Sequence, residues 1–149
     1  MLFQRVNRTD PERVFTVVYN ASGGAFTIGQ AMEYDTGTSA DGIRVSTPST
    51  AGLSSFAGLS TGAIANGAYG LAQVYGYCSF AAVINDITTA LVAGKILVPV
   101  NAQANLDSKA AGIAAADGKT GFITALQTNA TATAGAIAAA AHKVFIRAM

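Results

Sequence analysis

His142 is the only histidine and Cys78 the only cysteine of this 149-residue chain, so most enzyme chemistry would have to be built around one of them. A Ser–His–acid set would combine His142 with one of many serines and one of eight carboxylates. No Gly-x-Ser-x-Gly elbow singles out that serine. His142 stands beside Lys143 at the start of the last apolar run and reads as a surface or interface residue. Cys78 lies in the apolar run from Val74 to Ile84, which fits a buried, inert thiol. A lone cysteine also excludes an internal disulfide and a cysteine-based zinc site.

The acidic residues offer little more. Glu33 and Asp35 are two apart and share one face of a strand. They could hold a calcium ion together with backbone carbonyls, but a solvated strand end is the simpler reading. Gly94-Lys95 is followed by Ile96 and lacks the upstream glycine of a phosphate-binding loop. Asn7-Arg8-Thr9, Asn20-Ala21-Ser22 and Asn129-Ala130-Thr131 match the glycosylation sequon, as a Thr- and Ser-rich chain will by chance. No residue is assigned a catalytic, cofactor-binding or metal-binding role, no cofactor is expected, and the chain does not read as an enzyme.

Low charge is the stronger signal. Nine basic and eight acidic residues make up 11% of the chain, and residues 45–85 contain neither. A typical soluble domain carries about 25% charged residues. A surface built from Ala, Gly, Ser, Thr and Asn fits a subunit largely covered by other protein. A net charge of +1 with scattered basic residues gives no reason to expect nucleic acid as a partner. The mean hydropathy of +0.39 suggests a membrane at first sight. However, a spanning helix needs about 20 apolar residues. The best stretch, Leu71 to Ile84, is shorter and is interrupted by Gln73, Gly76 and Ser79. The N-terminus lacks the apolar core of a secretory signal, so synthesis in a cytoplasm is expected.

The chain divides into a polar, Pro-interrupted arm over residues 1–12 and a single β-rich domain over 13–149. Arg13–Tyr19 is β-branched and aromatic, a good strand. Further strands are expected at Ala25–Met32, Ile43–Thr47, Lys95–Val100, Phe122–Leu126 and Val144–Ala148. Pro99 points to an edge position. Asn66-Gly67 is a hairpin signal between Leu59–Ala65 and Ala68–Ile84. In the second of these, Ala72, Val74, Cys78 and Phe80 alternate with Gln73, Tyr75, Tyr77 and Ser79. That alternation predicts one core face and one tyrosine-bearing outer face, either an ordinary surface or one suited to a wet interface. Residues 101–121 read as loop with a helical turn around Ala110–Ala116, and Ala136–His142 as one short helix. The sum is a mainly β barrel or sandwich-like domain of short strands and Gly-rich turns, with at most one or two short helices.

One longer pattern has a counterpart. Phe56-Ala57-Gly58-Leu59, the run from Ile64 to Tyr77, Leu91–Leu97, Gly121–Leu126 and the closing Lys143–Met149 resemble the capsid decoration (cement) proteins of tailed bacteriophages. The resemblance covers about residues 53–149 and is one of rhythm and composition. It implies a virion structural protein on the capsid exterior that binds the major capsid protein, associates with itself as a homotrimer and has no catalytic residues. Another phage assembly subunit, such as a tail-tube or head–tail joining protein, is the alternative. A bacterial surface adhesin is a more distant one.

Overall fold

The computed structural model describes residues 11–37, 40–49, 55–85, 91–107, 123–128, 135–136 and 142–148. These contain eleven strands and no helix. The strands are β1 (Arg13–Asn20), β2 (Ala31–Tyr34), β3 (Arg44–Ser46), β4 (Phe56–Ser60), β5 (Tyr69–Ala81) and β6 (Val83–Asn85). They continue as β7 (Ile96–Pro99), β8 (Leu106–Asp107), β9 (Ile123–Ala125), β10 (Gly135–Ala136) and β11 (His142–Arg147). Beta-branched and aromatic residues fill the longer strands, while Gly and Asn hold the turns, as each backbone conformation demands.

All eleven strands are linked in the order β1-β3-β2-β4-β5-β11-β9-β7-β8-β6-β10. The sheet does not close as a whole, but one end curls until β1 also pairs with β5. Hydrogen-bonded pairings therefore run β1–β3–β2–β4–β5 and back to β1. Val18, Met32, Val45, Ala57 and Ala72, one from each of these strands, form a small core with Phe26 and Ile64. A second, larger core gathers Leu59, Cys78, Leu97, Leu106, Val144 and Ile146 between the other face of this unit and the remaining strands. The architecture is mainly β and sandwich-like.

The thirteen-residue β5 belongs to both parts. Gly76 lies opposite Arg13 of β1 and Ile146 of β11, so those two strands occupy opposite edges of β5. Gln73 lies opposite Phe15 of β1 and Leu59 of β4, which puts β4 and β11 end to end on one edge. Ala148 N–H donates to Val74 O at the junction.

Most of the expected strands are present with shifted limits. Ala25–Met32 is not one strand: Phe26 makes a single bridge to Ile64, a turn follows, and β2 starts only at Ala31. Ser60 ties that turn down, its Oγ donating to Thr27 O and accepting from Gln30 N–H. The Asn66-Gly67 turn is formed, but β4 ends at Ser60 and β5 begins at Tyr69, leaving a wider loop than a two-residue hairpin. Pro99 is not at a free edge, since β7 pairs with β9 through Ile96 and Leu97 and with β8 through Val98 and Pro99. The helix expected at Ala136–His142 is contradicted at both ends, because Ala136 pairs with Ile84 and His142 with Ala81. Strand pairing there outweighs alanine's local preference. Its middle, the Ala110–Ala116 turn and residues 1–10 of the arm lie outside the described residues.

Two glycines permit the close approaches that the topology requires. At Gly76 (φ 96°) an added Cβ would lie 1.8 Å from the Glu12 carbonyl oxygen, where the chain enters β1. At Gly29 (φ 81°) it would lie 1.8 Å from the Phe80 carbonyl oxygen, and Ala82 N–H donates to Gly29 O at 2.9 Å. In both places the neighbour is backbone and cannot step aside. Gly76→Ala is expected to cost about 3 kcal/mol or more in denaturant unfolding. Gly24→Ala, where an added Cβ meets nothing within 4 Å, is expected to be close to neutral.

Candidate functional site

The outward side chains of β1 (Arg13–Asn20), β5 and β11 form two patches on opposite faces of β5, because Phe15 pairs with Gln73 but Val14 with Tyr75, a shift that inverts the alternation of β5. Along β5, Ala72 enters the smaller core and Cys78 the larger one, while Tyr69, Leu71, Tyr75, Tyr77 and Ser79 remain exposed or half-buried. On β1 the outward residues are Arg13, Phe15, Val17 and Tyr19, and on β11 they are Lys143, Phe145 and Arg147. The patch ahead of the shift is strongly apolar: Tyr69 is 66% exposed, Val17 54%, Leu71 48% and Phe15 46%. Val17 lies opposite Leu71 and Tyr19 opposite Tyr69, so these groups form one patch.

The aromatic rings are held in edge-to-face pairs. Tyr19 and Tyr69 have centroids 5.1 Å apart at 63°, and Tyr75 and Phe145 are 5.5 Å apart at 80°. Such pairs contribute about 0.5–1.5 kcal/mol beyond area burial and fix the rings in place. Arginines lie over them: Arg13 is 5.8 Å from the Tyr77 centroid, Arg44 5.5 Å from Tyr19, and Arg147 5.6 Å from Phe145. Arg44 is further tied to Asp41 at 3.0 Å. Backbone N–H groups of Arg44 and Ile43 hold the Asp41 carboxyl below its usual range. No Asp or Glu occupies an outward position of β1, β5 or β11. Rigid aromatics with guanidinium groups above them are the composition of a protein contact surface.

The residues that could have carried catalysis are not brought together. Cys78 is fully buried in the larger core, and burial pushes its thiol up to about 11, so it is protonated and unreactive at neutral pH. His142, expected at the surface, is only 3% exposed because it lies on the core-facing side of β11. Its Nδ1 has no hydrogen-bond partner among the described residues, and burial lowers its pKa below 6.5. Glu33 is not a solvated strand end either. It is buried, and its carboxylate accepts from Ser46 Oγ at 3.4 Å and Ser49 N–H at 2.9 Å. Asp35 instead accepts from Gly37 N–H in an exposed turn. No cluster of three metal-ligating side chains occurs among the described residues.

Sequence reasoning did not anticipate the burial of two amides, Asn20 and Gln73. Asn20 donates to Gly24 O and Ile64 O and accepts from Ser22 N–H and Oγ, so it organises the 20–24 turn. With Nδ2 committed to two carbonyls, the Asn20 sequon is unusable in the fold. Gln73 falls on the tyrosine side of the alternation yet is buried, donating to Tyr75 O and Tyr77 O. It lies opposite Phe15 beside an irregularity in the β1–β5 register.

The His142 environment gives a pH dependence with a definite sign. The folded state holds a neutral imidazole, while the unfolded chain accepts a proton below about 6.5. Stability is therefore expected to fall as pH drops from 6.5 through the lowered folded value. His142→Gln should remove that component, which melting curves across this range would read.

No family model matches this chain, and no curated protein matches it in sequence. Its fold is similar to that of the head fiber gp8.5 N base of bacteriophage phi29, with a TM-score of 0.51 at 12% sequence identity. The superposition covers 91% of this chain and 94% of that one. The likeness is one of fold and runs through nearly the whole of both chains.

Proposed function

We propose that this chain is a structural protein of a bacteriophage head, bound to the outside of the icosahedral shell and stabilising it as a decoration protein. The fold likeness to a phage head fiber base over nearly the full length of both chains carries the reading. The sparse charge and the aromatic, arginine-bearing outer face support it, since both suit a subunit that works in contact with other proteins. A non-enzymatic role fits the burial of Cys78 and His142, the two side chains best able to do chemistry.

Such a subunit works by spanning joints. Each copy buries surface on neighbouring capsid proteins, so separating those neighbours must also break its contacts. Association into a homotrimer would raise the effective concentration of the second and third contacts once the first has formed. Residues 1–12 would serve as an arm reaching a neighbour. The major capsid protein is the partner in this reading.

The experiment is light scattering on the purified chain alone and after mixing with heads that lack it. A trimer that moves into the head fraction is the expected result. A monomer that leaves the heads untouched would contradict the reading. If removal of residues 1–10 leaves head occupancy unchanged, the arm has no part in binding.

A further inference from the structure

We propose that the free edge of β1 takes up an extended, uncharged segment of the head as an added strand. The surface carrying that segment then covers the apolar patch beside the edge. This deepens the head-binding reading and rests on it. Backbone groups along a strand point alternately to its two edges. Asn20 N–H donates to Ala68 O on the β5 side, and Tyr19 N–H to Ile43 O on the β3 side. Phe15 and Val17 share the direction of Tyr19, so their N–H and C=O groups point away from β5. Strand β3 reaches β1 only at Tyr19 and Asn20, which leaves those groups without a strand partner among the described residues. The open stretch Arg13–Val17 is about 17 Å long at about 3.3 Å per residue, room for a short strand. An unpaired edge is a template for another chain, and from Val14 to Val18 no charge or proline guards this one.

Side chains and charge choose the occupant. Phe15 and Val17 are 46% and 54% exposed, and they share a face with Leu71, opposite Val17, and Tyr69, opposite Tyr19. An added strand would set every second side chain beside this patch, where apolar groups are favoured. No charge lies among these outward residues past Arg13, and Arg44, over the Tyr19 ring, is already engaged with Asp41. Nothing here rewards a charged residue in the segment, so salt has little to screen. A second copy fits worse. Antiparallel pairing of two β1 edges needs a two-fold axis normal to the sheet, which keeps both patches on one face. The uncovered apolar area would double, whereas a segment of the head brings a different surface to cover it.

The test joins co-sedimentation with heads lacking the chain, at low and high salt, to hydrogen exchange of the bound chain. Wild type is compared with Leu71→Asp, Val17→Pro and, as control, Leu126→Asp, an exposed leucine beyond β9. Val17→Pro removes an N–H that faces out from the edge, a position where strands tolerate proline. Unchanged melting curves will show that each variant folds. Wild-type binding is expected to persist at high salt. Leu71→Asp and Val17→Pro should each weaken it roughly tenfold or more, and Leu126→Asp should match wild type. The Phe15 and Val17 amides should exchange fast in the free chain and slowly on heads. If Val17→Pro melts early, wild-type exchange replaces it, and unprotected Phe15 and Val17 amides on heads overturn the added strand. Folded Leu71→Asp and Val17→Pro that bind like wild type would overturn the docking site while leaving the head-binding reading intact. A wild type that binds no heads at either salt would overturn both. Binding lost at high salt would show a charged partner. Variants that bind heads normally but lose a solution oligomer would assign the edge to a second copy, and either result overturns the proposal.

Discussion

Three backbones meet at Gly76, where β1 starts across it, β11 ends beside it and β5 carries it. The space left by the missing side chain is filled by the Glu12 carbonyl, at a distance no Cβ tolerates. That contact lets β5 hold β1 on one edge while β4 and β11 share the other. Without it β1 would have to stand off, and the route from β1 back to β5 that encloses the smaller core would open. Gly29 makes the matching contact at the far end of β5, docking the turn before β2 onto Phe80 and Ala82. One long strand, pinned at two glycines, thus serves as the wall common to both cores.

Sharing that strand also determines the surface. The inward side chains of β5 are consumed by the two cores, so Ala72 and Cys78 are small and fully buried. Its outward side chains are left to meet something else, and there the chain places tyrosines and leucine. Beyond the register shift the rings of Tyr77 and Phe145 draw arginines from β1 and β11, which flank β5 on either side. Exposed Tyr69, Leu71 and Val17 lie before the shift, on the opposite face of the common wall.

Much of this was legible in sequence wherever side-chain alternation alone decides. The β-branched run at residues 13–19 marks β1, and the period of two marks which residues of β5 are buried, but the register shift beside Tyr75 sends Ala72 and Cys78 into different cores and so divides the expected single tyrosine face. What escaped depends on contacts distant in sequence. Gln73 breaks the alternation because its amide is taken up by the carbonyls of Tyr75 and Tyr77 beside an irregular stretch of pairing. Glu33 looked solvated until Ser46 and Ser49 were seen to approach it from β3 and the chain beyond. His142 looked exposed beside Lys143, but the register with Ala81 turns it inward. Ala136 looked helical, and its pairing with Ile84 is set by tertiary contacts that composition does not reveal. The outer face was anticipated for its tyrosines, whereas the arginines above them come from strands remote in sequence.

The cores explain why the fold stands, and the uncovered side of β5 explains what is left for assembly. The most direct measurement is hydroxyl-radical footprinting of the chain, free and bound to heads. The account predicts that Tyr69 and Leu71, in the exposed apolar patch, lose reactivity on binding, while exposed Val92 and Leu126 keep it. Unchanged labelling of Tyr69 and Leu71, with protection appearing elsewhere on the chain, would contradict it.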